Sequence, residues 1–186
     1  MELNEVINKR KSSREYIAKD VSNELIEKLI DVARLAPSAK NRQPWRFMIV
    51  KDIIKNRIAD IMLKQLQESK ITQEKDSCNK NSSVEATSLI IKQAPVLILV
   101  FRNKDDNWII GDALSIGASV EHICLKAVDL GLGSLWIRDT VFTKEAIAHF
   151  VGKDNMELVC AVLIGYTEEN LKIKKKKTLK EVMEWY

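Results

Sequence analysis

The sequence predicts an α/β or α+β domain in which helices cover both faces of a central sheet. Three observations carry that reading. Four short apolar runs rich in Val and Ile (47–50, 96–101, 131–137 and 158–164) have the composition of buried strands. About seven helical segments alternate with them, which is the pattern of a sheet layered between helices. The length of 186 residues suits one domain with a sizeable core, and 46% hydrophobic with 30% charged residues is the balance of a globular chain. No internal repeat divides the chain. No run of eighteen apolar residues occurs, so no spanning helix is expected. The opening M-E-L-N-E-V-I-N-K-R has no apolar signal core, and the expected compartment is the cytoplasm.

Taken in order, Leu3, Val6 and Ile7 mark one face of a short helix. It runs into R-K-S-S-R-E-Y (10–16), where three cations and two hydroxyls crowd within Arg10–Arg14. That composition suits a phosphate, and it equally suits a solvated helix C-terminus. Ser22 is placed to cap a helix from about 22 to 36, whose apolar face is Leu25, Ile26, Leu29, Ile30, Ala33 and Ala36. Pro37 ends it. The crossing A-P-S-A-K-N-R-Q-P-W-R-F (36–47) holds two of the three prolines, which make it rigid and non-helical. Ser38, Asn41 and Gln43 between them can bond a ligand, or simply the backbone of a capped helix end and turn.

Phe47–Val50 reads as a buried strand, and Ile53, Ile58, Ile61, Met62 and Leu66 as a further helix. From 67 to 83 the chain turns polar and loses periodicity, as a mobile excursion or lid would. Val84–Gln93 is helical, and Pro95 opens the strand Val96–Phe101. Ile109–Leu130 is the longest helix, with Asp112, Ser115, Ser119, His122, Lys126 and Asp129 in one narrow polar stripe. An otherwise apolar circumference predicts a central, largely buried helix. Gly117, Ala118 and Ser119 would let another helix or a second subunit come close. Gly131 suits a C′ position, and G-L-G-S (131–134) lacks both a P-loop lysine and a third dinucleotide-type glycine. Thr143 caps a helix to Val151, and Leu158–Ile164 is a fully buried strand closed by Gly165 and Tyr166. A lysine run, K-I-K-K-K-K (172–177), accounts for the net charge of +4, and a short segment with Leu179, Val182 and Trp185 follows.

The side chains argue against several chemistries. His122 lies mid-helix and His149 in a peripheral helix, so no Ser-His-Asp arrangement forms. Cys78, Cys124 and Cys160 are far apart with no C-x-x-C pair, and no metal-ligand spacing occurs. No paired carboxylates sit at a strand end. If the chain is an enzyme, its reactive group is borrowed from a cofactor.

Five ordered blocks resemble the FMN-dependent nitroreductase family, especially its short members: 10–16, 36–47, the long helix after Trp108, L-G-L-G-S-L-W-I (130–137), and V-L-I-G-Y (162–166) with basic residues after it. The 36–47 block is the most specific. The resemblance implies a nitroreductase-like α+β fold, a three-layer α/β/α arrangement around a mostly antiparallel sheet, over a single domain of residues 1–186. It implies a homodimer with two FMN sites at the subunit interface, and 167–186 as a C-terminal arm contacting the partner subunit. Carried over, Arg10, Lys11, Ser12 and Arg14 would hold the phosphate, ribityl chain and pyrimidine edge of FMN. Pro37, Ser38, Ala39 and Asn41 would come from the partner chain, and Gly131, Leu132, Gly133 and Ser134 would pack on the ring. Lys174 and Lys176 match basic residues that reach the phosphate, where the family more often has an arginine at one position.

The implied reaction is ping-pong: NADH or NADPH reduces FMN, and a nitroaromatic, quinone or free flavin takes the reducing equivalents. No side chain is catalytic and no metal is involved. The 67–83 stretch, where selectivity is often built, has no aromatic residue here, which implies an open pocket. Two other readings stay in view. One is a reductive dehalogenase or flavin-modifying enzyme of the same fold. The other is a flavin- or nucleic-acid-binding protein without turnover that uses the lysine run.

Overall fold

In the computed structural model the chain is described for residues 1–72, 78–168 and 175–186, and for the side chains of all these except 66–72 and 78–83. Four strands form one sheet in the order β1-β2-β4-β3: β1 (Arg46–Lys51), β2 (Val96–Asn103), β3 (Gly133–Ile137) and β4 (Met156–Gly165). Every neighbouring pair is antiparallel. The helices are α1 (Leu3–Lys9), α2 (Asn23–Ala33), α3 (Asp52–Thr72), α4 (Cys78–Gln93), α5 (Ile109–Asp129) and α6 (Lys144–Phe150).

Two apolar clusters make the three layers. On one face α3, α4 and α6 pack on Leu97, Leu99 and Phe101 of β2, through Ile58, Met62, Ile91 and Ile147. On the other, α2 and α5 pack on Val96, Ile98 and Val100, through Leu29, Ala33, Ile116, Val120 and Ile123. The strict alternation along β2 follows from the strand period of two. Strand β4 departs from it. The register shifts beside Val100 and Phe101, so that Cys160 pairs with Val100 and Leu158 with Phe101. Val159 is the extra residue of this bulge, and it lets Leu158 and Cys160 serve opposite faces although two positions apart.

Local chemistry fixes the ends of the helices. The Leu25 amide donates to Ser22 Oγ at the start of α2 (3.4 Å). Gly131, at φ +73°, follows the Leu130 C-cap of α5. The Leu132 amide donates to Ala127 O (2.7 Å) and the Gly131 amide to Val128 O (3.0 Å), which is the paired bonding of a Schellman ending. At α6 the Thr143 hydroxyl turns back to Thr140 O instead of capping the helix.

Two features differ from expectation. Helical backbone extends further into the polar 67–83 stretch than its composition suggests, with α3 continuing to Thr72 and α4 starting at Cys78; 73–77 lie outside the described residues. The polar stripe of α5 points inward. Asp112, Ser115 and Ser119 are buried, while Ile109, Ile110 and Leu114 are exposed. The Ser119 hydroxyl donates to Ala33 O (2.8 Å), and His122 Nδ1 lies 3.0 Å from Val32 O, so this stripe satisfies carbonyls at the C-terminal end of α2. By length and composition alone residues 106–129 could cross a bilayer. Here the segment packs against α2 and the sheet, with Asp112 buried and ion-paired to Arg42 and Arg102.

Candidate functional site

Three of the sequence blocks meet at one end of the sheet. The segment after α1 runs beside the start of β3 as a single parallel bridge, Ser12 to Ser134. The Ser13 amide donates to Ser134 O (2.9 Å), and the Ile17 amide donates to Tyr166 O (2.8 Å). Tyr16 Oη donates back to Ser13 O (3.1 Å). The blocks 10–16, 130–137 and 162–166 are thereby locked together.

The extended segment presents two edges, because successive side chains alternate. Lys11 and Ser13 line a cavity of about 480 Å³ together with Gly131, Leu132, Gly133, Ser134 and Thr167. Arg10, Ser12 and Arg14 are not among its walls. Arg10 is half-buried, with Nε 3.6 Å from Glu121 Oε1 on α5, and Arg14 is exposed, donating to Ser12 O (3.2 Å). The approach at Gly133 is close: a Cβ there would run into Thr167 Cγ2 and sit 2.5 Å from Ser13 Oγ, so these neighbours would have to shift. At Gly131 the space is open, and a Cβ there would meet nothing within 4 Å.

The block 36–47 lies elsewhere, at the opposite end of α5. The Ala39 amide donates to Ser115 Oγ (3.2 Å), whose own proton goes to Gly111 O (2.7 Å). From Ser115 to Gly131 is sixteen residues, about 24 Å at 1.5 Å per residue. One chain therefore does not bring Pro37, Ser38, Ala39 and Asn41 to Gly131–Ser134, while Arg10, against Glu121, meets α5 about 9 Å along its axis from Ser115.

The 38–43 loop has an unusual backbone. Lys40 (φ +50°), Asn41 (φ +53°) and Gln43 (φ +46°) all occupy the left-handed region. Asn tolerates it, but a side chain such as Lys or Gln costs about 1–2 kcal/mol there. Ser38 Oγ accepts from the Gln43 amide (3.0 Å), and Gln43 Nε2 donates to Asn41 Oδ1 (3.2 Å). These bonds leave the Ser38 hydroxyl proton and the Asn41 amide nitrogen as donors.

Behind the loop lies a charged network that sequence reasoning did not single out. Arg42 donates from Nε to Asp112 Oδ1 (3.2 Å) and from Nη2 to Asp105 Oδ2 (3.1 Å). Its Cζ sits 4.3 Å from the Trp108 ring centroid. Asp112 also faces buried Arg102, which pairs with Glu157, which in turn accepts from Lys144 Nζ (2.8 Å). The Lys144 hydrogen bond, followed by Arg102, holds the Glu157 carboxyl below its ordinary range against the opposing effect of burial. The 42–112 and 102–157 partners are far apart in sequence, so no spacing signal could have revealed them.

The remaining candidates separate. Lys176 is exposed on the arm, where Leu179, Val182 and Trp185 are also exposed, and Lys174 lies outside the described residues. Burial pushes the Cys124 thiol up to about 11 and the Cys160 thiol up to about 12, which makes both inert as nucleophiles at neutral pH. Among the described residues no cluster of His, Cys, Asp or Glu could hold a metal ion.

Comparison with known proteins agrees with this architecture. A protein of Archaeoglobus fulgidus that carries a provisional NADH dehydrogenase/NAD(P)H nitroreductase name is 30% identical over 165 residues, which are 86% of this chain and 82% of that one. The iodotyrosine deiodinase of Hydra vulgaris is 25% identical over 190 residues, covering 95% of this chain and 70% of its own. The crystal structure of a BluB-like flavoprotein from Clostridium difficile 630 superposes with a TM-score of 0.90 at 30% identity, covering 100% of this chain and 99% of that one. The Nitroreductase family model matches residues 7–166, and with the antiparallel sheet between two helical layers and the conjunction of the 10–16, 130–137 and 162–166 blocks, the chain belongs to the nitroreductase family.

Proposed function

We propose that this chain is an FMN-dependent NAD(P)H:acceptor oxidoreductase that works as a homodimer. Each flavin would lie between residues 10–14 and 131–134 of one protomer and the 37–41 loop of its partner. The observation that carries this reading is the separation of the two half-sites at opposite ends of α5. A two-fold axis near the middle of that helix would lay two copies antiparallel, and the loop end of one would meet the Arg10 end of the other. The exposed face of α5 supports such an axis. Ile110 (76% exposed), Leu114 (72%), Gly117 and Glu121 follow one another at helical spacing, from the neighbourhood of Ala39 to the Arg10 contact. Leu3 and Ile7 of α1 add further exposed apolar surface, and Trp136 approaches Gly117. The exposed apolar residues of the 175–186 arm fit a role in embracing the partner.

The residues present suit the parts of FMN. Arg10, Arg14 and the Ser12 hydroxyl offer guanidinium and hydroxyl donors for the phosphate, ribityl chain and pyrimidine edge. Lys11 lies on the other edge of the same segment, beside the cavity, and Lys174 and Lys176 remain candidates for reaching the phosphate. The open side of Gly131 admits a flat ring against the backbone of 131–134. When bound, FMN would supply two-electron chemistry in two half-reactions, first with NADH or NADPH and then with an electron-poor acceptor such as a nitroaromatic, a quinone or a flavin. The chain itself would hold guanidinium charge where reduction builds negative charge, and would use its apolar α5 faces to keep water away.

Purified protein should be yellow, or become so on reconstitution with FMN. The Arg10→Ala/Arg14→Ala variant should weaken FMN binding tenfold or more, since each charge-assisted contact is worth about 1.5–3 kcal/mol. Protein that stays colourless after reconstitution would refute the proposal. The likeness to an iodotyrosine deiodinase favours a second reading, reductive dehalogenation of an aromatic substrate. Anaerobic reoxidation of the reduced enzyme by nitroaromatics, quinones and halogenated phenols in turn separates the two.

A further inference from the structure

The 38–43 loop is tied to the β2–α5 connection and to α5 by one side chain. Arg42 closes the left-handed turn, and three partners grip it: buried Asp112, half-exposed Asp105 and the face of Trp108. We propose that Arg42 is a positioning residue: clamped on Asp105, Asp112 and Trp108, it keeps the turn Lys40–Gln43 in the conformation that displays Ser38 and Asn41 to the cofactor. This rests on the FMN reading given above.

The argument is one of over-determination. Three non-glycine residues with positive φ within four positions form a backbone that a free loop would leave. The bond from the Gln43 amide to Ser38 Oγ closes the turn locally, and the bond from the Ala39 amide to Ser115 Oγ ties its near end to α5. Arg42 ties the far end. Its planar fork engages two carboxylates at once, a geometry that lysine cannot reproduce. Asp112 is anchored in turn by Arg102 at 3.5 Å, so one arm of the clamp is fixed to β2, while Asp105 and Trp108 belong to the connection between β2 and α5. Trp108 makes the grip tighter, because Lys40 Nζ also lies 5.4 Å from its ring centroid.

Removing the clamp should lower the fraction of loops in the competent conformation, and the apparent dissociation constant rises as the inverse of that fraction. The test uses full-length protein in two variants: Arg42→Ala and Arg42→Lys. Amide hydrogen exchange at Gln43 is measured without FMN, FMN affinity is measured by flavin fluorescence, and thermal unfolding verifies the fold. In Arg42→Ala, Gln43 exchange should accelerate and the FMN dissociation constant should rise about tenfold, as for a competent fraction falling to one tenth. Arg42→Lys should recover part of both. At saturation the flavin spectrum should be unchanged, as expected when Arg42 does not touch the ring. Unaltered Gln43 exchange or an altered flavin spectrum would each overturn the proposal. Wild-type protein that takes up no FMN while Arg42→Ala still speeds Gln43 exchange would instead overturn the cofactor reading and leave the clamp standing.

Discussion

Gly133→Ala tests how tightly the three blocks are joined. A methyl group at this position would sit 2.5 Å from Ser13 Oγ and 3.0 Å from Ser13 Cβ, besides running into Thr167 Cγ2. The Thr167 methyl and the Ser13 hydroxyl can rotate. Ser13 Cβ cannot, and Ser13 is 1% exposed, so the backbone of the 10–16 segment must move. Overpacking of this kind costs about 1–3 kcal/mol. If the move breaks the 2.9 Å bond from the Ser13 amide to Ser134 O, about 1 kcal/mol more is lost. The sum, about 2–4 kcal/mol, corresponds to a fall in Tm of about 4–16 °C for a chain of this length. Thermal unfolding of the FMN-free protein gives the stability term, and FMN titration of the same variant reports whether Arg10, Ser12 and Arg14 have been displaced. Wild-type stability together with wild-type FMN affinity would refute the view that Gly133 is the contact on which these blocks close.

Two further outcomes follow from neighbouring features. Gly117→Ala meets only the Trp136 ring, at 3.5 Å, and within a protomer an interior helical alanine is worth about 0.5–1 kcal/mol over glycine. Sedimentation should nevertheless show weaker dimerisation, because the added methyls meet at the proposed axis; unchanged dimerisation with a raised Tm would move the axis elsewhere. Glu157 titrates below the ordinary glutamate value of 4.5 in the folded chain, first through Lys144 and then through Arg102. A depressed carboxylate stabilises the fold above its unfolded value, and that contribution is lost as pH falls through the folded value. The urea midpoint should therefore drop as pH is lowered below about 4.5, and Glu157→Gln should flatten that part of the profile.

Much of the layering could be read from the chain. The apolar runs of β2 and β4 are buried on both sides, and their composition announces it. Ser22 and Gly131 terminate their helices with the chemistry their residue types suggest. The face of α5 could not be read in the same way. A polar stripe on an apolar helix ordinarily turns to water, but Ser119 and His122 find the carbonyl ends of α2, and Asp112 finds Arg42 and Arg102. The apolar stripe of Ile110 and Leu114 is left outside instead. Helix α4 begins earlier than its apolar period does, because 78–83 (C-N-K-N-S-S) gives a periodicity argument nothing to register. In the site, motif resemblance grouped residues that one chain holds at different positions along α5, the 36–47 block at Ser115 and the 131–134 turn beyond its C-terminus. The Arg42 network was invisible for a simpler reason: Arg42 and Asp112 are 70 positions apart, and each looks like an ordinary surface charge.

The placement of the two half-sites at opposite ends of a single helix has a genetic consequence. In the proposed dimer each protomer lends its ends to different flavins, so a defect at one end damages a different site from a defect at the other. A chain carrying Arg10→Ala/Arg14→Ala and a chain carrying Ser38→Ala/Asn41→Ala would each form a homodimer impaired at both sites. Mixed together, they would form heterodimers in which one site gathers every lesion and the other gathers none. Co-expression of two inactive alleles should then restore up to half the flavin content of the wild type, a complementation that a cofactor site enclosed within one chain could not display.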